Sequence, residues 1–268
     1  MSKLLKIFPK KFVIGMVHLK PLPGSPQFDG SLRKIEEAAI MDAERLSEGG
    51  IDGLIIENFG DTPFLNGEIS LEGLLMMTRI ITTIRNRINL PFGVNVEFND
   101  WKSEISLAYI TEAKFIRVEV FVEARFSISG IVMPAVSKLL RMRKALGADD
   151  VMIFADFDVK HTYPLFKLPM EFTIKEISKY ADAIVVTGAE TGSETPLEIV
   201  KRVKESSDKP VIVGSGVNKS NILRTLEIAD GVIIGTALKK DGVTHNEVDL
   251  DRVKEIMSLV KTLRGDLS

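Results

Sequence analysis

The chain contains no cysteine, which excludes disulfides and thiolate metal sites. Glutamine is almost missing as well: Gln27 is the only one. With many Lys, Glu and Ile, that composition leans toward a thermophilic source. An excess of one charge sign is also lacking. Thirty-five Lys and Arg stand against 37 Asp and Glu, for a net charge of -2, which argues against a nucleic-acid binder working by bulk electrostatics. No apolar run approaches the ~20 residues of a membrane span, so no integral membrane segment is expected. Residues 1–11 (MSKLLKIFPKK) have neither a long apolar core nor a small-residue cleavage site, and no signal peptide is read there. The expected location is the cytoplasm. Low-complexity segments, linkers and charge blocks are absent too.

What is present is a regular alternation. Apolar β-type runs fall at 12–17, 51–56, 92–97, 115–121, 151–158, 182–187, 210–214 and 231–235. Amphipathic helical patterns follow at 32–48, 71–87, 102–112, 134–146, 171–180, 196–206, 219–228 and 249–263. Eight βα units in order predict a parallel sheet, and eight parallel strands close most readily into a (β/α)₈ TIM barrel. A doubly wound open sheet is the alternative. The 268 residues match the roughly 250 of one such barrel, so residues 1–268 are expected to form a single TIM-barrel domain. Thr195-Pro-Leu-Glu198 reads as a capping box, and Gly147 and Gly49-Gly50 as helix stops. Long connections at 18–31, 57–70, 121–133, 159–170 and 236–248 are where function is expected.

Two segments carry the strongest functional signal. Val211-Ile-Val-Gly-Ser-Gly-Val217 and Gly231-Val-Ile-Ile-Gly-Thr-Ala-Leu-Lys239 each end an apolar strand in small residues. In a barrel they are the loops after the last two strands, where phosphate is held. Backbone N–H groups around Gly214, Ser215, Gly216, Gly235 and Thr236 are the expected cradle. Glycines also occur at strand–helix turns for steric reasons alone. Two such loops after the right two strands favour a small phosphorylated metabolite as partner.

Side-chain parity supplies the rest. Strand residues alternate between faces, and the apolar set of each strand must cover the helices. The other set then points inward: Asn95 and Glu97 from the third strand, Arg117 and Glu119 from the fourth, Asp156, Asp158 and Lys160 from the fifth. His18 ends the first strand, Glu57 and Asn58 end the second, and His161 follows Lys160. One reading of these groups is purely structural. Arg117 would pair with Glu97 or Glu119, and Lys160 with Asp156 or Asp158. The other is an acid–base site at the barrel mouth. Asp156 or Glu119 would be a general base and His18 or Lys160 an acid. Lys160 could instead form a Schiff base, although nearby carboxylates would keep it protonated. Two or three of Glu57, Glu97, Glu119 and Asp156 could bind a divalent cation such as Mg²⁺; no spacing demands a metal, and no cofactor is assigned. His245 reads as an ordinary loop residue. Residues 21–26 and 59–64 form part of a cover over the site.

These residues resemble the BtpA/SgcQ family of TIM-barrel proteins over about residues 12–260. The likeness rests on Val13-Ile-Gly-Met-Val-His-Leu-Lys-Pro-Leu-Pro-Gly-Ser-Pro26, Glu57-Asn-Phe-Gly-Asp-Thr-Pro-Phe64, Phe154-Ala-Asp-Phe-Asp-Val-Lys-His161, Val213-Gly-Ser-Gly-Val217 and Gly235-Thr-Ala-Leu-Lys-Lys-Asp-Gly-Val243. Where the family pattern has an aromatic residue after Gly-Val-Thr, this chain has His245. The resemblance implies the barrel. For function it implies two things: a role in photosystem I assembly in cyanobacteria, where the family is described as membrane-associated, and enzymes of carbohydrate operons. The expected function is thus a TIM-barrel enzyme acting on a small phosphorylated carbohydrate or nucleoside-like metabolite, by lyase, isomerase or transferase chemistry. The alternative is a non-catalytic biogenesis factor that binds a protein partner. The sequence leaves self-association into a homo-oligomer open.

Overall fold

The computed structural model describes residues 3–166, 168–188 and 194–265. Lys167, within the long 159–170 connection, lies outside them. The barrel strands are β1 (Phe12–His18), β2 (Gly53–Glu57), β3 (Phe92–Asn95), β4 (Phe115–Val118), β7 (Met152–Phe157), β9 (Ala183–Val186), β10 (Val211–Val213) and β11 (Gly231–Ile234). They pair in parallel in that order and close when β11 pairs with β1. The helices between them are α1 (Leu32–Glu48), α2 (Leu71–Arg87), α3 (Trp101–Thr111), α4 (Val136–Ala145), α5 (Met170–Tyr180), α6 (Leu197–Ser206), α7 (Ile222–Ile228) and α8 (Leu250–Arg264). The open-sheet alternative is therefore ruled out, and the eight expected βα units are all present.

Two apolar layers hold this arrangement. Between strands and helices lie Val13, Val17, Ile56, Val94, Val96, Ile116, Val118, Ile153 and Ala155, packed on helix residues such as Leu46, Ile80, Ile105 and Ile174. Inside the barrel the opposite parity gives Phe12, Ile14, Met16, Ile55, Phe115, Met152, Phe154 and Ile233. Phe115 and Phe154 stack at 4.3 Å, and Phe8, before β1, stacks on Phe12 at 4.9 Å. Such ring pairs add about 0.5–1.5 kcal/mol each beyond their burial. Glycine makes room for these rings: a Cβ at Gly93 would lie 2.3 Å from the Phe115 ring. Leu4 and Phe8 join the same cluster and plug the N-terminal end. The barrel is thus solid at its bottom, and polar side chains appear only near the C-terminal rim.

Helix starts follow local chemistry. Ser31, Ser70, Asp100 and Asp249 each accept a hydrogen bond from a backbone N–H in the first turn of the helix that follows. The capping box expected at 195–198 does not form. Pro196 holds the cap position, and the Thr195 hydroxyl donates to the Ser215 carbonyl at 3.1 Å. It ties the α6 entrance to the glycine loop after β10.

The largest addition to the expected pattern is an antiparallel sheet built from two of the long connections. β5 (Arg125–Ser127) pairs with β6 (Gly130–Val132) on one side and β8 (Tyr163–Pro164) on the other. Gly130, at φ 101°, turns the hairpin. Arg125 anchors the sheet by pairing with Glu123 and Asp158. The sheet exposes large apolar side chains, among them Phe126, Ile131, Tyr163 and Phe166. Among the described residues, no helix is long and apolar enough to cross a membrane.

Candidate active site at the barrel mouth

β1, β2 and β3 end side by side: His18 is level with Glu57, and Glu57 with Asn95. The expected inward parity holds for Asn95, Arg117, Glu119 and Asp156. It fails for Asp158. Residue 158 turns into the left-handed region at φ 58°, and its carboxylate, 63% exposed, pairs with Arg125 outside the mouth. His161, also left-handed and exposed, does not line the cavity. Lys160, between these two turns, does return to the cavity wall.

The ion pairing also differs from the expected scheme. Arg117 takes Asp156, not Glu97 or Glu119: its Nε and Nη2 donate to Oδ1 and Oδ2 at 2.9 and 2.8 Å. Both side chains are buried. Burial works against the Arg117 charge, but the attraction and hydrogen bonds of Asp156 outweigh it and hold the guanidinium above its ordinary pKa. With both carboxylate oxygens occupied, Asp156 is a positioning partner for Arg117, and the general-base role assigned to it is withdrawn. Lys160 forms no ion pair with Asp156 or Asp158.

Glu119 is similarly occupied. Its Oε1 accepts from Asn95 Nδ2 at 2.5 Å and its Oε2 from the Asn99 N–H at 3.0 Å. Burial pushes its carboxyl up to about 7, against the Asn95 hydrogen bond. Asn95 also donates to Glu104, a buried residue of α3 that accepts the Val96 N–H at 2.9 Å. Burial, and next the charge of Glu119, push Glu104 well above the usual carboxylate range. Asn58 is a splint: it accepts from the Glu97 N–H at 2.7 Å and donates to the Glu97 carbonyl and to Asp61. Glu97 is pushed well up by burial and by its neighbours Glu57 and Glu119.

The open part of the mouth is a cavity of about 270 Å³. Its wall is formed by His18, Glu57, Arg117 and Lys160 together with the loops 214–218 and 235–237, Gly242 and Arg252. His18 Nε2 is 4.0 Å from Glu57 Oε1. Burial, and then the charges of Lys239 and Lys160, lower the His18 pKa well below its ordinary value, so the ring is neutral at pH 7. Among the described residues, its buried Nδ1 has no hydrogen-bond partner. Burial raises Glu57, with Lys160 and Arg117 opposing.

The glycine loops divide by role. The Gly214 N–H donates to the Val186 carbonyl at 2.8 Å, so it is spent on the barrel and is not available to an anion. Gly214 is small because a Cβ would meet Val185 at 2.7 Å. Among the described residues, no partner takes the N–H groups of Gly216, Gly235 or Thr236. Gly216 is left-handed at φ 68°. A Cβ at Gly235 would lie 2.8 Å from His18 Cε1; that glycine lets the loop touch the histidine ring. Ser215 faces the same cavity.

Strand parity could not find four further residues. Glu104 and Arg252 come from helices. Lys239 is buried and paired with Asp42 of α1, which also accepts the Val248 N–H at 2.7 Å and fixes the 236–248 connection. His245, read as a plain loop residue, belongs to the mouth: Phe59 stacks on His18 at 4.4 Å and contacts His245 at 5.6 Å. This row of rings borders a second cavity of about 430 Å³ beside the first. The two segments read as a cover are joined to each other, since Asp61 accepts the Leu22 N–H at 2.7 Å; neither lines the 270 Å³ cavity. Among the described residues, no three His, Asp or Glu side chains converge as ligands for a metal.

Residues 9–262 match the model of the BtpA family. The chain belongs to the BtpA family. An uncharacterized protein of Methanocaldococcus jannaschii is 40% identical over 97% of this chain and 99% of its own length. The photosystem I biogenesis protein BtpA of Synechocystis is 36% identical, covering 90% and 85%. The sgc region protein SgcQ of Escherichia coli K12 is 35% identical, covering 95% and 96%. Among solved structures, a tryptophan synthase alpha subunit from Legionella pneumophila superposes with a TM-score of 0.61 at 15% identity over the full length of both chains. A phosphoribosylanthranilate isomerase from Pyrococcus furiosus gives 0.58 at 15%, covering 94% of this chain and 99% of its own. At that identity these two share the barrel with the BtpA-family chain, and the likeness goes no further.

Proposed function

We propose that this BtpA-family protein is an enzyme that binds a small phosphorylated carbohydrate or nucleoside-like metabolite and moves protons on it. One observation carries the reading: a polar cavity joins backbone N–H groups of two glycine loops, which no described residue takes, to a titratable set of His18, Glu57 and Lys160. Phosphate would lie on Gly216, Gly235 and Thr236, and the reacting carbons would face the other end. There Glu57 is the proton acceptor, Lys160 the cation that stabilises developing negative charge, and neutral His18 a donor or relay. Arg117, Asp156, Glu119, Asn95 and Asn58 hold these groups in place.

Calorimetric titration with phosphorylated sugars and nucleotides, with and without Mg²⁺, tests the reading. Saturable binding is expected for a phosphorylated member of the panel, none for its dephosphorylated counterpart, and none after Thr236→Asp. Absence of binding across the panel by folded protein would overturn it. A partner-binding, non-catalytic role is the second reading, favoured by the apolar side chains on the β5–β6–β8 sheet. It gains if the cavity binds nothing and charged substitutions at Phe126 and Tyr163 abolish association with a partner.

A further inference from the structure

The cavity is polarised beyond what the glycine loops alone produce. Glu57, Arg117 and Lys160 bring their charges to its wall, where Arg117 is already saturated by Asp156. Lys160 stands in the field of Glu57 and Glu97. Among the described residues Glu57 is the one carboxylate that lines the cavity, and Arg252 is a cation of its wall that Asp156 does not take.

Arg252 is the third residue of α8. A cation in the first turn of a helix works against the helix dipole, so its presence there needs another cause. The guanidinium has five N–H donors and uses them little. Nη1 reaches the Ala237 carbonyl only at 3.5 Å, and Nε lies 3.9 Å from Asp249 Oδ2. Asp249 caps α8 with Oδ1, which accepts the Asp251 and Arg252 N–H groups, and only its Oδ2 faces the guanidinium, at that long distance. Gly242, left-handed at φ 67°, turns the chain beside Nη1; even an added Cβ there would stop 3.9 Å short of it. The Arg252 side chain is 41% exposed, so it meets the cavity from the solvent side.

We propose that Arg252 is the side-chain anchor for a phosphate monoester, closing the anion site that the Gly216, Gly235 and Thr236 N–H groups begin. The inference rests on the phosphate reading above and adds the residue that supplies charge. Backbone N–H groups give direction but only partial charge, whereas a guanidinium presents two parallel donors to two phosphate oxygens. A terminal monoester, with its extra negative charge and three free oxygens, is the group that can fill both halves of the site. A phosphodiester or a carboxylate would leave part of it unpaired. The ligand class is therefore a sugar or nucleoside carrying a terminal phosphate.

The test is calorimetric titration of the full chain with inorganic phosphate. Wild type should bind saturably. Arg252→Gln should bind about tenfold to a hundredfold more weakly, and Arg252→Lys should fall between the two because charge is kept and the fork is lost. The melting temperature of Arg252→Gln should stay close to wild type, since the guanidinium makes only long contacts within the chain. Wild-type affinity in Arg252→Gln, with binding abolished in Thr236→Asp, would overturn the role of Arg252 and leave the backbone cradle standing. No saturable uptake of phosphate by wild type would overturn the cradle and the anchor together.

Discussion

The two halves of the barrel mouth are built on opposite principles. On the β3–β4–β7 side, polar groups are numerous and mostly consumed by each other: Arg117 by Asp156, Glu119 by Asn95 and Asn99, Glu104 by Asn95 and Val96. On the β10–β11–β1 side, polar groups are few and find no full partner among the described residues: three N–H groups, the Nδ1 of His18 and most of the Arg252 guanidinium. Buried polar groups are normally satisfied within the fold. The first half therefore contributes rigidity and a shaped electrostatic wall, while the second keeps free the capacity that a ligand must fill.

That contrast can be broken in three places. The largest effect is expected on the filled side. Asp156→Ala leaves a buried guanidinium unpaired and should lower unfolding stability by about 3–5 kcal/mol, read as a shift of the urea midpoint. Loss of less than about 1 kcal/mol would mean that water reaches Arg117 and that this half is not sealed.

The next effect is a pH dependence. Glu119 keeps its proton in the folded chain up to about pH 7, but gives it up near 4.5 when unfolded. Between those values the folded state binds the extra proton, so this group's contribution is complete below about 4.5 and is lost as pH rises through about 7. Glu119→Gln should remove that part of the slope and raise stability at pH 8, relative to wild type, by an amount on the order of 1–3 kcal/mol. Urea midpoints measured from pH 5 to 8 check it. Parallel profiles for the two proteins would show that Glu119 is ionised throughout.

The smallest effect sharpens the boundary between mouth and rim. Asp158→Asn removes one exposed partner of Arg125 and should change stability by less than about 1 kcal/mol. Its affinity for phosphate should equal that of wild type. A large loss of affinity would return Asp158 to the cavity.

How much of this was legible follows from the same physics. The period-2 rule applies where the chain stays extended, so it located Asn95, Arg117 and Asp156 on the inner face. It failed at Asp158, where a positive φ ends the alternation. It could also give no pairing: Arg117 chose Asp156 on the adjacent strand β7 because Glu119 was already held by Asn95 and Asn99. Glu104 and Arg252 reach the mouth from helices, and no spacing within the sequence links a helix residue to a distant strand end. The β5–β6–β8 sheet was hidden because its strands have two or three residues each, too few to show a period. The hairpin's Ser129-Gly130 turn was its one local signal.

The most direct test is a crystal structure of the protein grown with ribose 5-phosphate. The account predicts a phosphate held by the N–H groups of Gly216, Gly235 and Thr236 and by the Arg252 guanidinium, with the sugar directed toward Glu57, His18 and Lys160. Phosphate density against Arg117 and Asp156, or on the outer rim beside Arg125, would contradict it.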